Sequence, residues 1–200
     1  MDNDKLLSGE QGLEIIQSMI NKAKNQFGDN GHLYLMWGWV VLLCSIAEFF
    51  LLNYARWPYH YSVWFATWVA AIYSFYYSYK NQRKQAVRTY TDDIISYVWI
   101  VFVIMMLLFA FVFGAILGKN YFVLINPGFL ILYGMPTFLS GIILQFRPLI
   151  AGAIVCWLLG MLSVFVDPRY HLLCLAAGVV SAWIIPGYLL RSNFKKQVKQ

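Results

Sequence analysis

The stretch Ile94-Ile95-Ser96-Tyr97-Val98-Trp99-Ile100-Val101-Phe102-Val103-Ile104-Met105-Met106-Leu107-Leu108-Phe109-Ala110-Phe111-Val112-Phe113-Gly114-Ala115-Ile116-Leu117 carries no charge and no proline. A helix rises 1.5 Å per residue, so about 20 apolar residues cross the ~30 Å of bilayer hydrocarbon. This run reads as a transmembrane helix. Further apolar blocks surround it, and together they give six candidate spans at 33–52, 61–79, 94–117, 126–145, 149–166 and 171–190. All six are expected as helices, because an open strand leaves its backbone groups unsatisfied in lipid.

The composition of the whole chain agrees. Of its 200 residues 60% are hydrophobic and 12% are charged, with a mean hydropathy of +0.60. Soluble domains carry about 25% charge, so a soluble globule, a disordered chain and a disulfide scaffold are all excluded. Cys44, Cys156 and Cys174 lie inside apolar blocks without metal-ligand spacing and read as small buried hydrophobes. The start, Met1-Asp2-Asn3-Asp4, is acidic, and the first apolar block is too long for a signal-peptide core; it is expected to stay in the membrane.

Charge sets the expected orientation. With the N-terminus inside, twelve of the fifteen basic residues fall on inner segments, leaving Arg56, Lys119 and Arg169 outside. The positive-inside rule then places both termini in the cytoplasm. The net charge of +6 is a signature of insertion, and no nucleic-acid partner is expected. Tyrosines and tryptophans cluster near the span ends as interfacial belts. Helix signals are also legible. Thr91-Asp92-Asp93 is placed to cap the third span, Asn126-Pro127 to start the fourth, and Pro136 to kink it.

Small residues recur every four positions late in the chain: Gly152, Cys156 and Gly160 in the fifth span, and Cys174, Gly178 and Ala182 in the sixth. Gly114 and Gly118 form a further pair. Such stripes let helix backbones approach closely in lipid. They predict a tight hairpin of the last two spans, with a dimer interface as the rival use. Ahead of the spans, Leu13, Ile16, Ile20 and Phe27 share one face of a helix starting near Ser8, opposite Glu10, Glu14 and Lys24. The fold expected is all-α. It comprises a cytoplasmic amphipathic helix (1–31), a six-helix transmembrane domain (32–190) and a basic cytoplasmic tail (191–200).

Leu7-Ser8-Gly9-Glu10-Gln11-Gly12-Leu13-Glu14-Ile15-Ile16, Gly31-His32-Leu33-Tyr34-Leu35-Met36-Trp37-Gly38-Trp39, Leu132-Tyr133-Gly134-Met135-Pro136-Thr137-Phe138-Leu139-Ser140-Gly141 and Ile184-Ile185-Pro186-Gly187-Tyr188-Leu189-Leu190-Arg191 resemble an uncharacterised family of small multi-pass membrane proteins of Bacteroidota type. The resemblance covers nearly the whole chain and implies a bacterial inner-membrane protein. It implies no active site, substrate or cofactor.

The chemistry in the sequence is sparse. Leu139-Ser140-Gly141 and His171 stand at rhomboid-protease offsets, but Phe138 and Cys174 replace two of that pattern's glycines. Ser140 would also lie ~21 Å below the mouth where His171 sits. His60 and His171 share the outer face, yet two histidines do not define a metal site. No cofactor motif occurs. Glu48 is the ionisable residue inside a span, and such carboxylates mark proton or substrate paths by default. The plainer alternative is that it reaches outward or pairs with Arg56 or Arg169. The expected function is therefore non-enzymatic and works through a partner, with a transporter or channel using Glu48, Pro136 and Ser140 as the rival. Expected partners are the bilayer and a second copy or another protein.

Overall fold

The computed structural model of the protein describes Leu13, residues 30–82 and residues 90–197. Of these, 93% are helical and none is in a strand. Helix α1 (Asn30–Phe50) runs on through a π-helical turn at Leu51–Ala55. The chain reverses at Arg56, whose φ of 46° is left-handed, and passes through a 3-10 turn at His60–Trp64 into α2 (Phe65–Gln82). There follow α3 (Tyr90–Leu117), a 3-10 turn at Gly118–Asn120, α4 (Tyr121–Ile143) and α5 (Arg147–Ser163). A 3-10 turn at Pro168–Tyr170 leads to α6 (His171–Val179), a π turn at Val180–Ile184 and α7 (Ile185–Gln197).

Among the described residues, four helices are long and apolar enough to cross a membrane: Gly31–Ala55, Asp93–Leu117, Tyr121–Ile143 and Pro168–Ser192. The other two expected spans fall short for different reasons. Helix α5 is apolar but has 17 residues. Helix α2 is rich in tyrosine and ends in Lys80-Asn81-Gln82, which lowers its hydropathy. The amphipathic segment is mostly outside the described residues, as are Ile16, Ile20 and Phe27; Leu13 itself is helical and exposed.

The core is made by α1, α4, α5 and the continuous α6–α7 rod, with α2 laid on α1 and α3 on α4. Leu130, Leu149, Cys156, Leu175, Val179 and Ala182 are fully buried there. The small residues set how close the rods come. A Cβ on Gly152 would lie 2.4 Å from the Ser181 carbonyl oxygen and 2.7 Å from Ala182 Cα. One turn on, the Cys156 thiol donates to the Gly178 carbonyl at 3.4 Å. Gly160 turns instead toward Pro127, Leu130 and Ile131 of α4, while Cys174 is half-buried against the core. The Gly114–Gly118 pair makes no close approach: nothing lies within 4 Å of a Cβ on either, and Gly118 takes a φ of +52° in the turn.

Two expected helix starts move. Helix α3 begins at Tyr90, a turn before 94. Helix α4 begins at Tyr121, so Asn126-Pro127 lies inside it and starts nothing. The left-handed Gly118 and its 3-10 turn reverse the chain earlier than the proline does. Helix α4 continues through both Pro127 and Pro136. Pro136 denies an N–H to the carbonyl of Leu132, and the neighbouring turn is supported from α5, where Trp157 Nε1 donates to the Ile131 carbonyl at 3.1 Å. The π turn at Val180–Ile184 sits just ahead of Pro186, which likewise takes a donor out of the ladder.

Candidate functional site

Polar side chains gather at two places along α1, around Glu48 and around Tyr34. They are 14 residues apart in sequence, or about 21 Å along the helix.

Glu48 is the one buried carboxylate among the described residues. Burying a carboxylate is costly unless its oxygens are hydrogen-bonded, and both are. His60 Nδ1 lies 2.9 Å from Oε1, and Trp64 Nε1 donates to Oε2 at 2.6 Å. Four residues earlier on the same face, the Cys44 thiol donates to the Val63 carbonyl at 3.4 Å. One face of α1 thus fastens the whole His60–Trp64 turn. The alternative pairing of Glu48 with Arg56 or Arg169 is corrected. Arg169 lies beside Asp167, with Nε 3.7 Å from Oδ1, and exposed Arg56 occupies the left-handed reversal.

His171 is buried, 3% exposed. Its Nε2 reaches the Ser163 carbonyl at 2.8 Å and the Val166 carbonyl at 3.2 Å. The Ser163 carbonyl also accepts from the Val166 N–H at 3.3 Å; carbonyls only accept, so Nε2 carries the proton and the ring caps the end of one helix from the next. Ser140 lies elsewhere. The glycine after it, Gly141, meets Leu149 and Ile150 near the start of α5, roughly 21 Å along that helix from Ser163.

The second assembly lines the inner face of α4, where Tyr133, Thr137 and Ser140 follow at helical spacing beside buried Pro136. Trp183, in the π turn, donates from Nε1 to Thr137 Oγ1 at 3.0 Å, and Thr137 in turn donates to the Tyr133 carbonyl at 2.8 Å. Rings close around this bond. The Trp183 ring stands 4.8 Å from Tyr133 and 6.1 Å from Trp99, and Trp99 stands 5.7 Å edge-on to Tyr34. Pro136 and Ser140 therefore share one site, and Glu48 does not belong to it.

Sequence reasoning missed His60, Trp64, Tyr34, Trp99 and Trp183 as site members. The spacing of Cys44 and Glu48 at i, i+4, facing a loop that holds His60 and Trp64, was the available signal for the first cluster. Comparison with family models, curated proteins and solved structures gives no match to this chain.

Proposed function

We propose that the chain is a six-span integral protein of the bacterial inner membrane, with both termini cytoplasmic, that acts through a protein partner in a regulatory, sensing or assembly role. The observation that carries this reading is the division between core and flank. Helices α2 and α3 follow one another in the chain, yet each packs chiefly on a different neighbour. Their outer faces present large exposed side chains, Phe65, Trp68 and Phe75 on α2 and Leu107, Phe111 and Ile116 on α3. The flank leaves helix surface open to a partner, and in lipid such docking would draw on close packing and interhelical hydrogen bonds, not on the apolar area itself. Aromatic α2 and short α5 serve as the second and fifth spans in this reading, α2 held at its end by interfacial tyrosines and Lys80 and α5 starting at Arg147. The amphipathic pattern over Leu13, Ile16, Ile20 and Phe27 adds a contact surface on the cytoplasmic side.

A photo-crosslinking residue placed at Trp68 or Phe111 in native membranes tests the proposal, with buried Leu149 as the control position. A discrete protein adduct from either flank and none from Leu149 supports it. Lipid adducts alone at both flank positions overturn it.

A transporter reading keeps one specific observation in its favour: α4, which lacks a ladder donor at Pro136, meets the π turn of the last rod at the Thr137–Trp183 bond. Irregular turns of this kind inside continuous helices often mark functional sites. It requires Glu48 to release His60 and Trp64 during a cycle. Loss of proton-linked flux in Glu48→Gln at normal protein level would favour it.

A further inference from the structure

We propose that the end of the bundle where α1 begins and α2 ends holds the phosphate of an anionic phospholipid, on a face built from His32, Tyr73, Tyr76 and Lys80. On α2, Tyr73, Tyr76, Tyr77 and Lys80 follow at i, i+3, i+4 and i+7, so they form one stripe. His32 of α1 joins it. Its Nε2 lies 3.1 Å from the Tyr73 hydroxyl, and its ring stands 5.0 Å from that of Tyr77. The Tyr73 and Tyr77 rings stack at 6.2 Å, and the Lys80 ammonium stands 5.9 Å from the centre of the Tyr76 ring. Deeper in, the Trp37 indole donates to Ser74 Oγ at 3.0 Å and fixes the two helices side by side. His32, Tyr73, Tyr76 and Lys80 are all exposed. Interfacial tyrosines that only anchor a span act singly; these are joined across two helices.

Chemistry selects the ligand. His32 and Tyr73 share one hydrogen bond, and whichever of them donates it, the pair keeps a further N–H or O–H for an acceptor. Lys80 adds donors and a full positive charge. Acids are remote or engaged. Glu48 is the one carboxylate in residues 30–82; it lies about 24 Å along α1 from His32, with both oxygens taken by His60 and Trp64. Asp93 of α3 has a partner of its own. Arg191 of α7 brings a second cation to this end, its backbone nitrogen 3.7 Å from a Cβ placed on Gly31. Such a set of donors under positive charge fits a phosphate oxygen. The row of Tyr76 then continues away from Lys80 through Ile72 and Val69, at i−4 and i−7, which are 70% and 69% exposed. An anion with acyl chains attached matches both parts of the face; free phosphate matches only the first.

Phosphatidylglycerol is the probe, set against phosphatidylcholine and inorganic phosphate. The full chain in mild detergent is mixed with each, and the bound species are weighed by native mass spectrometry. Phosphatidylglycerol should be held about fivefold more tightly than phosphatidylcholine, the gain one basic residue brings near an anionic headgroup. Lys80→Gln should remove that preference and His32→Ala should weaken it, whereas Arg169→Gln, a change to an exposed cation beside Asp167, should leave it intact. If His32→Ala does not accumulate, Tyr73→Phe, which removes the hydroxyl alone, takes its place. Equal retention of the two lipids overturns the proposal, as does a preference that survives Lys80→Gln or is untouched by the His32 or Tyr73 change. Displacement of the lipid by inorganic phosphate also overturns it, because the site would then serve a soluble anion. The inference rests on α2 being the second span. Trp57→Cys and Lys84→Cys labelled from opposite sides of the membrane show that span independently, so a missing lipid and a missing span are told apart.

Discussion

Replacing Gly152 with alanine adds one methyl group where the structure has least room for it. The new Cβ would sit 2.4 Å from the Ser181 carbonyl oxygen, 2.7 Å from Ala182 Cα and 3.0 Å from the Ser181 carbonyl carbon. All three are backbone atoms, so no rotamer change relieves the contact. Restoring an ordinary separation moves α5 and the π turn apart by roughly 1 Å, which also lengthens the Cys156–Gly178 bond one turn away. Overpacking of this kind costs ~3 kcal/mol at the upper end of its usual range. Alanine returns ~1 kcal/mol of helix propensity, leaving a net loss of ~2 kcal/mol, or about 30-fold in the folding equilibrium. Gly114→Ala is the internal reference, because nothing lies within 4 Å of its Cβ and only the propensity gain remains. Equilibrium unfolding of both variants in mixed micelles reads the difference, expected at ~3 kcal/mol in favour of Gly114→Ala. If the two variants unfold together, the Gly152–Ala182 approach does not hold the rods in register.

Other changes test the remaining joints. Glu48→Ala strips the acceptor from both His60 Nδ1 and Trp64 Nε1 and should cost ~2 kcal/mol; Glu48→Gln keeps one acceptor and should cost about half of that, so equal losses in thermal unfolding would contradict the two-bond clamp. His171→Leu removes the donor shared by the Ser163 and Val166 carbonyls. It should lower stability by ~1 kcal/mol and speed proteolysis between 164 and 167, and an unchanged cleavage rate would count against the cap. Gln145 closes the α4–α5 turn at a φ of 51°, where glycine is at ease, so Gln145→Gly should raise stability by about 1 kcal/mol; a loss would mean that its side chain is needed. For orientation, Trp57→Cys and Arg169→Cys should react with an impermeant thiol reagent from outside intact cells, and Lys84→Cys and Lys196→Cys should not; the reverse pattern would overturn the topology.

Helix type and rough position were legible because apolar length and charge asymmetry act locally along the chain. The Gly152 and Gly178 spacings could be read for the same reason: period four is a property of one helix. What they face was not legible. Gly160 serves α4 instead of the last rod, a choice made by three-dimensional packing. Asn126-Pro127 misled because proline is favoured at a helix start but is also carried inside apolar helices whose neighbours support the freed groups. Glu48 stood out from its depth, yet its partners lie 12 and 16 residues away across a reversal at Arg56. Tyr34 gave no signal, since a tyrosine near a span end reads as an interfacial anchor.

The same physics explains why α3 lies at the flank, whereas α2 is tied to α1 by the Trp37–Ser74 and His32–Tyr73 side-chain hydrogen bonds. Lipid is as apolar as leucine, so burying large hydrophobes gives helices no reason to associate in a bilayer. Association has to come from close backbone approach and from internal hydrogen bonds. Helices α1, α4, α5 and the α6–α7 rod carry both kinds of means. Gly38 meets Trp183 and Ile184, Gly187 meets Leu35, and Gly134 lies under the Trp157 ring, while Glu48, Thr137 and His171 bond across elements. Helix α3 has little means of close backbone approach. Over 97–113 it offers large apolar side chains and a single alanine, and its main purchase on α4 is the Phe109 ring laid over Gly128. Its place at the flank follows from its composition.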